Sequence, residues 1–189
     1  MKKLFSLILA FILLISITAC ADDSAEKKTS SKLPFESMRF SFCSGASSWS
    51  TELVLNGDGT FTGNYMDNDI NSFSDEYPDG TAYVCEFSGN FKNITKIDDH
   101  TYSLTLDDVI TAKEFGEEWI EDSIKYIASP PYGIYDGREF YLYTPDVPTN
   151  SLDKIFLGWY PIDLELPEDC LGRYGLYNIN TGDGFFSFD

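Results

Sequence analysis

His100 is the chain's single histidine and directly follows Asp98-Asp99. One imidazole leaves one ordinary carrier for proton transfer at neutral pH. No Gly-x-Ser-x-Gly elbow, glycine-rich phosphate loop or pair of histidines at helical spacing accompanies it, so neither a hydrolase triad nor a nucleotide or zincin motif declares itself. Ser44 and Ser47 flank Gly45-Ala46, but a nucleophile needs a placed base and none lies near in sequence. His100 therefore reads as a turn residue among carboxylates. Acidic pairs are plentiful: Asp98-Asp99, Asp107-Asp108, Glu117-Glu118 and Glu121-Asp122. Glycoside hydrolysis needs two carboxyls roughly 5 to 10 Å apart across a cleft, which adjacency along the chain does not supply. With 31 Asp plus Glu against 13 Lys plus Arg, and a net charge of −18, these pairs read as solvated faces.

Asp67-Asn68-Asp69-Ile70-Asn71 opens like a calcium loop, with oxygen ligands at the first, third and fifth positions. Ser72 then stands where glycine makes the turn and Pro78 where a bidentate glutamate closes the site, so the segment reads as a polar loop and no metal or cofactor is expected. Asn178, Asn180 and Asp183 are read the same way. Cys43, Cys85 and Cys170 lack CxxC spacing, which leaves zinc and dithiol redox chemistry without support. At most one bridge forms among them; Cys43 with Cys85 is the pair to expect because both fall in predicted strands, the alternative being Cys85 as a buried free thiol. The chain carries 12 Tyr, 15 Phe and 3 Trp. Such rings stack on sugars or enclose an apolar ligand, and they also fill cores. The residues placed to line a ligand site are Trp49, Tyr83 and Phe87 on strands, with Tyr132, Tyr135 and Tyr143 near loops at its rim.

Strands are what must position these residues. Trp49, Thr51, Leu53 and Leu55 alternate with polar neighbours, and the pattern resumes at Phe61, Gly63 and Tyr65 beyond Asn56-Gly57-Asp58-Gly59. That is a hairpin, its turn made by residues that accept positive φ. Tyr83 to Lys92 is a second long alternating strand, where Gly89 marks a bend or bulge, and Tyr102 to Leu106 pairs with it. Phe115, Trp119 and Ile120 fall on one face of a helix, so a short helix is predicted over 112–124, ended by Pro130-Pro131. Glu139 to Thr144 reads as a strand, Ser151 to Trp159 as a short helix or turn, and Leu176 to Phe188 as one or two strands. Many short strands with little helix imply a mainly β fold, an antiparallel barrel or else a β-sandwich, with one or two short helices.

The N-terminus sets the compartment. Met1-Lys2-Lys3 precedes the apolar run Leu4 to Ile17, too short to span a bilayer comfortably and laid out like an export signal. It ends in Ile17-Thr18-Ala19-Cys20, which resembles the lipobox of bacterial lipoproteins. The resemblance implies cleavage before Cys20, lipidation of Cys20, and anchoring by two or more acyl chains, enough for stable attachment. Ala21 to Leu33 is polar and free of aromatics, a solvated tether with a reach of roughly 20 Å. The expected organisation is a signal peptide over 1–19, lipidated cysteine and tether over 20–33, and one β domain over 34–189.

The run from Trp49 through Asp58-Gly59 to Phe61-Thr62-Gly63 resembles small lipocalin-like barrel domains of exported bacterial proteins, which implies an eight-stranded closed sheet with an internal cavity. Taken together, the chain is expected to be an extracytoplasmic lipoprotein held on the bacterial membrane by its N-terminal lipid. Its β domain is expected to bind a small apolar ligand, a glycan or a protein partner without catalysis; the alternative is an envelope-directed hydrolase using paired carboxylates. Nucleic acid is not an expected partner, since the acidic excess repels phosphate. A Cys20→Ser variant should leave the membrane pellet and appear in the soluble fraction, as fractionation with lipid labelling will show.

Overall fold

Alternation on either side of the Asn56–Gly59 turn builds the first hairpin of the structure, a computed structural model that describes residues 32–45 and 48–188. The leader, Cys20 and the tether through residue 31 lie outside the described residues. Strand β2 (Trp49–Asn56) pairs with β3 (Thr60–Asp69) so that Thr51, Leu53 and Leu55 face Tyr65, Gly63 and Phe61. The turn works as its residues require: Gly59 takes φ 93°, and the Asp58 carboxylate accepts the Thr60 amide at 3.0 Å. Both hydrogen bonds from Thr60 hold the Asp58 carboxyl below its ordinary range.

The other elements are β1 (Ser37–Cys43), β4 (Thr81–Lys96), β5 (Thr101–Thr111), β6 (Glu118–Glu121), β7 (Ile124–Ala128), β8 (Glu139–Tyr143), β9 (Gly175–Asn178) and β10 (Asp183–Ser187), with a 3-10 turn at Thr149–Ser151 and one helix, α1 (Lys154–Leu157). Around the barrel the order is β1-β2-β3-β4-β5-β8-β9-β10 and back to β1, every neighbour antiparallel. The domain is thus a closed eight-stranded antiparallel barrel rather than a sandwich. The β6–β7 hairpin stands outside the circuit, with β7 running parallel to the first residues of β4.

Closure leaves little room inside. Phe40, Phe42, Leu53, Leu55, Phe61, Leu104, Phe140, Leu142, Leu176 and Phe185 all point inward and are at most 2% exposed. Eight strands make a barrel just wide enough for its own side chains. The large rings fit because two glycines yield to them: Phe87 lies opposite Gly63 and Phe61 opposite Gly89 in the β3–β4 ladder. A Cβ at Gly63 would sit 2.4 Å from the Phe87 ring, and one at Gly89 2.6 Å from the Phe61 ring. The bend expected near Gly89 follows it directly, as register shifts at Asn90/Phe91 and Lys92/Thr95.

Both ends are stoppered. At one, the loop between β7 and β8 drops Ile134 into the core at 0% exposure. Asn178 Nδ2 donates to the Gly133 carbonyl at 2.9 Å, and Thr51 Oγ1 to that of Tyr132 at 2.8 Å. At the other end Leu33, expected in the tether, is buried in the core, its amide donating to the Gly57 carbonyl at 2.7 Å. Folded structure therefore begins before Pro34.

A second core lies on the barrel's outer face. Segment 144–172 leaves β8 and returns across β8, β9 and β10, and Phe156 of α1 packs against Tyr143 and Tyr177 at 5.2 Å and Phe186 at 4.7 Å. The Asp153 carboxylate caps α1 by accepting the Ile155 amide at 2.8 Å.

Two sequence expectations are corrected here. Residues 112–124 form no helix: Trp119 pairs across the β6–β7 ladder with Tyr126, and Asp122 and Ser123 make the reversal with φ of 47° and 67°. As consecutive residues of a strand, Trp119 and Ile120 point to opposite faces rather than sharing the helical face expected of them. Cys43 and Cys85 are not bridged, and all three described cysteines are free. Cys43 points outward next to buried Phe42, Cys85 points into the core, and β2 and β3 lie between them. Three strand spacings come to roughly 14 Å, beyond a disulfide's span.

Gly63→Ala should cost about 1–3 kcal/mol by overpacking. Urea unfolding of the single variant beside Gly63→Ala/Phe87→Leu measures it; the double variant should recover part of the loss.

Candidate functional site

The aromatic residues expected to wall one site do not come together. Trp49 and Tyr132 do meet, at 4.9 Å, at the Ile134 end of the barrel, where Tyr65 lies 6.2 Å from Tyr132. Tyr83 is half-buried on β4 opposite Asp67. Phe87 is buried in the interior against Phe61, and Tyr143 faces the opposite way, into the outer core. Tyr135 is exposed, with its ring against Phe115 at 5.1 Å. The end of the barrel is thus an aromatic lid over a filled interior.

Burial raises the Tyr65 hydroxyl to about 12, with the charge of Asp67 adding to it, and raises the Cys85 thiol to about 11, with Glu86 adding to it. Tyr143 and Tyr177 are also held above the tyrosine range by burial, Tyr177 further by Asp153. Raised phenols and a raised thiol stay protonated and unreactive.

The acidic pairs sit at the surface. Asp98, Asp99, Asp107, Asp108, Glu117, Glu118, Glu121 and Asp122 are all exposed. Lys92 and Asn90 hold the Asp107 carboxyl below its usual range, Lys113 pairs with Glu117, and Lys125 with Glu118 at 2.8 Å. Among the described residues no group of three His, Cys, Asp or Glu side chains is placed to hold a metal. His100 closes a turn, its amide donating to Asp98 at 2.8 Å. Asn178 and Asn180 are structural: Asn178 holds the Ile134 loop, and Asn180 Oδ1 accepts the amides of Arg138 and Glu139 at 2.8 and 2.9 Å. Asp183 is buried and accepts the Thr181 hydroxyl at 2.5 Å.

The concavities are on the outside. One, of about 370 Å³, lies between β3, β4 and the β6–β7 hairpin, where the Trp119 and Tyr126 rings stack at 5.2 Å with Lys113 4.5 Å over Trp119. A larger groove of about 660 Å³ runs between the outward faces of β1 and β10 and the 158–164 segment. It exists because the chain leaving α1 turns Trp159 inward, edge-on to Phe42 at 4.8 Å, and then stands off from the barrel through Pro161 and Ile162. Ile162 is 81% exposed. Tyr160, Phe186 and Phe188 supply further apolar wall.

Arg173 lines the same groove. Its Nη1 donates to the Ser187 carbonyl at 3.0 Å, and its guanidinium carbon stands 5.5 Å from the centre of the Tyr160 ring. Its Nε is buried with no hydrogen-bond partner, and no described carboxylate pairs with it. A buried donor without an acceptor costs about 1–3 kcal/mol, so this atom is the structure's one conspicuous polar debt among described side chains. The sequence reading did not single out Arg173: a lone arginine between Gly172 and Tyr174 carries no spacing signal.

Comparison with family models, with curated proteins and with solved structures finds no match to this chain.

Two solution measurements follow. The unfolded chain releases the Tyr65 proton near 10.0, whereas the folded state holds it to about 12. The stability from this group is therefore full below pH 10 and lost as pH rises through that window. Tyr65→Phe should flatten that alkaline loss in pH-dependent melting. Iodoacetamide at neutral pH should alkylate exposed Cys43 and spare Cys85, as peptide mass mapping will show.

Proposed function

We propose that this protein is an extracytoplasmic lipoprotein, held on the bacterial cell membrane by a lipidated Cys20, whose barrel binds a ligand or partner on its outer surface without chemical turnover. The lipobox-like Ile17-Thr18-Ala19-Cys20 supports the anchor. The observation that carries the binding part is the contrast between a barrel interior filled by its own rings and an apolar groove of about 660 Å³ outside it. That volume lies within the roughly 300–1,000 Å³ of small-molecule sites.

Orientation favours access. The tether reaches the barrel at Leu33, just before β1, and the groove extends along β1 to Cys43, Ser44 and Gly45 at its far end. Seven residues of strand put that far end roughly 20 Å beyond the entry point.

Thermal melting of the full chain in nanodiscs, against panels of glycans, lipids and small apolar molecules, tests this. A ligand that binds only the native state adds stability as its concentration rises, about 2.7 kcal/mol at a hundred times its Kd, and so raises the midpoint. The expected result is a shift that Ile162→Asp removes. A shift that survives that substitution would move the site elsewhere, and turnover of an envelope polymer would replace binding by hydrolysis.

A further inference from the structure

We infer that the outer groove is a receptor for a small apolar carboxylate, gripped by Arg173 through its Nε and Nη2 edge; this rests on the groove being the binding site. Nη1 is already committed to the Ser187 carbonyl. Of the donors that remain, Nε–H and one Nη2–H point in parallel along the side-on edge of the guanidinium and match the two oxygens of a carboxylate. The orphaned Nε is the half of that fork shut away from water. Tyr160 lies beside it, within cation–π range of the guanidinium. A bound carboxylate would answer the unmet donor and the uncompensated charge together.

The charge around Arg173 selects a monoanion. Glu52 lines the groove but is paired with Arg39 at 3.7 Å, and Asp163 stands on the outer wall. With Glu52 already answered by Arg39, the one unpaired guanidinium matches the single charge of a carboxylate, whereas the second charge of a dianionic phosphate finds no cation and faces Asp163. The walls select an apolar tail: Ile162, Leu164 and Phe188 offer hydrocarbon, with Ile162 81% exposed.

An extended peptide is the less suitable occupant. Strand addition draws its affinity from free backbone groups along an edge, and the end of β10 has few to offer. The Ser187 amide donates to Tyr174, the Phe188 amide to Arg39, and the Ser187 carbonyl takes Arg173.

The test uses the full chain in nanodiscs, with empty nanodiscs as the blank. Octanoate, octanamide, octyl phosphate and an apolar tripeptide are titrated against tryptophan fluorescence, and protection of Cys43 from iodoacetamide, a thiol that lines the groove, reports the place of binding. Octanoate should bind about tenfold or more tightly than octanamide and octyl phosphate and protect Cys43. Arg173→Lys, which keeps the charge and loses the fork, should erase most of that preference. Because Arg173 also holds Ser187, a second pair of variants works at the exposed wall: Ile162→Lys should strengthen octanoate and Ile162→Asp weaken it, with smaller effects on the amide. Equal binding of acid and amide, both lost in Ile162→Asp, would overturn the carboxylate while leaving the groove as the site. Octanoate binding indifferent to Arg173 and Ile162 alike would overturn the inference and the groove together. A free-carboxylate tripeptide that outcompetes octanoate would overturn the small acid in favour of a polypeptide terminus.

Discussion

Trp159 sits where the barrel comes closest to failing to close. The ladder between β1 and β10 has two register pairs, Phe40 with Ser187 and Ser41 with Phe186, whereas β1 and β2 share seven. Where that seam stops, the Trp159 ring packs on Phe42 at 4.8 Å and stands 6.2 Å from Trp49, and its indole Nε1 donates to the Gly182 carbonyl at 2.9 Å. The same residue touches the interior core and the outer one. Barrel closure, docking of the 144–172 excursion and the groove beyond Pro161 therefore share one side chain, and an indole suits the place because it fills a gap with apolar area while its single N–H finds an acceptor.

Both cores use the same device of seating rings on glycine. Inside, Phe61 and Phe87 lie opposite Gly89 and Gly63. Outside, a Cβ at Gly175 would lie 2.5 Å from the Phe156 ring and one at Gly184 2.9 Å from it. Glycine in a strand is locally unfavourable, and a large aromatic laid across it restores the lost contact area. An interior packed this way, with Ile134 and Leu33 closing its ends, holds its own side chains, and the concavities lie on the surfaces that the excursion and the outer hairpin shape.

Electrostatics sharpen that division. A chain with 31 acidic residues has carboxylates to spare for every cation, and Lys92, Lys96, Lys113 and Lys125 each pair with one. Such exposed pairs contribute little to stability. Arg173 is the contrast, within cation–π range of Tyr160 and hydrogen-bonded to backbone yet left without an acid partner among the described residues. Arg39 borders the same region, paired with Glu52 and lying 4.5 Å over the Phe188 ring.

Sequence alone settled what depends on neighbours along the chain. Period-two alternation placed Leu53, Phe61, Phe87 and Leu104 inside, because one strand residue in two must face the core; Trp49 and Tyr102, on the same pattern, are only half-buried at its margin, and Tyr83 is half-buried outside the core cluster. The Asn56–Gly59 turn was legible because Gly59 needs positive φ. The same parity already separated Cys43, next to inward Phe42, from Cys85, in phase with inward Phe87; a bridge between them was expected only because strand membership was weighed without face. The hairpin over 118–128 escaped because its reversal uses Asp122 and Ser123, neither a glycine, while the spacing of Phe115, Trp119 and Ile120 fits a helical face. Tertiary structure alone decided the rest: that Tyr143 faces an outer core, that Ile134 stoppers the barrel, and that Arg173 meets Tyr160 and Ile162 in one groove. These are contacts between segments far apart in sequence. Local periodicity says which side of a strand is covered, and only the folded path of the chain says what covers it.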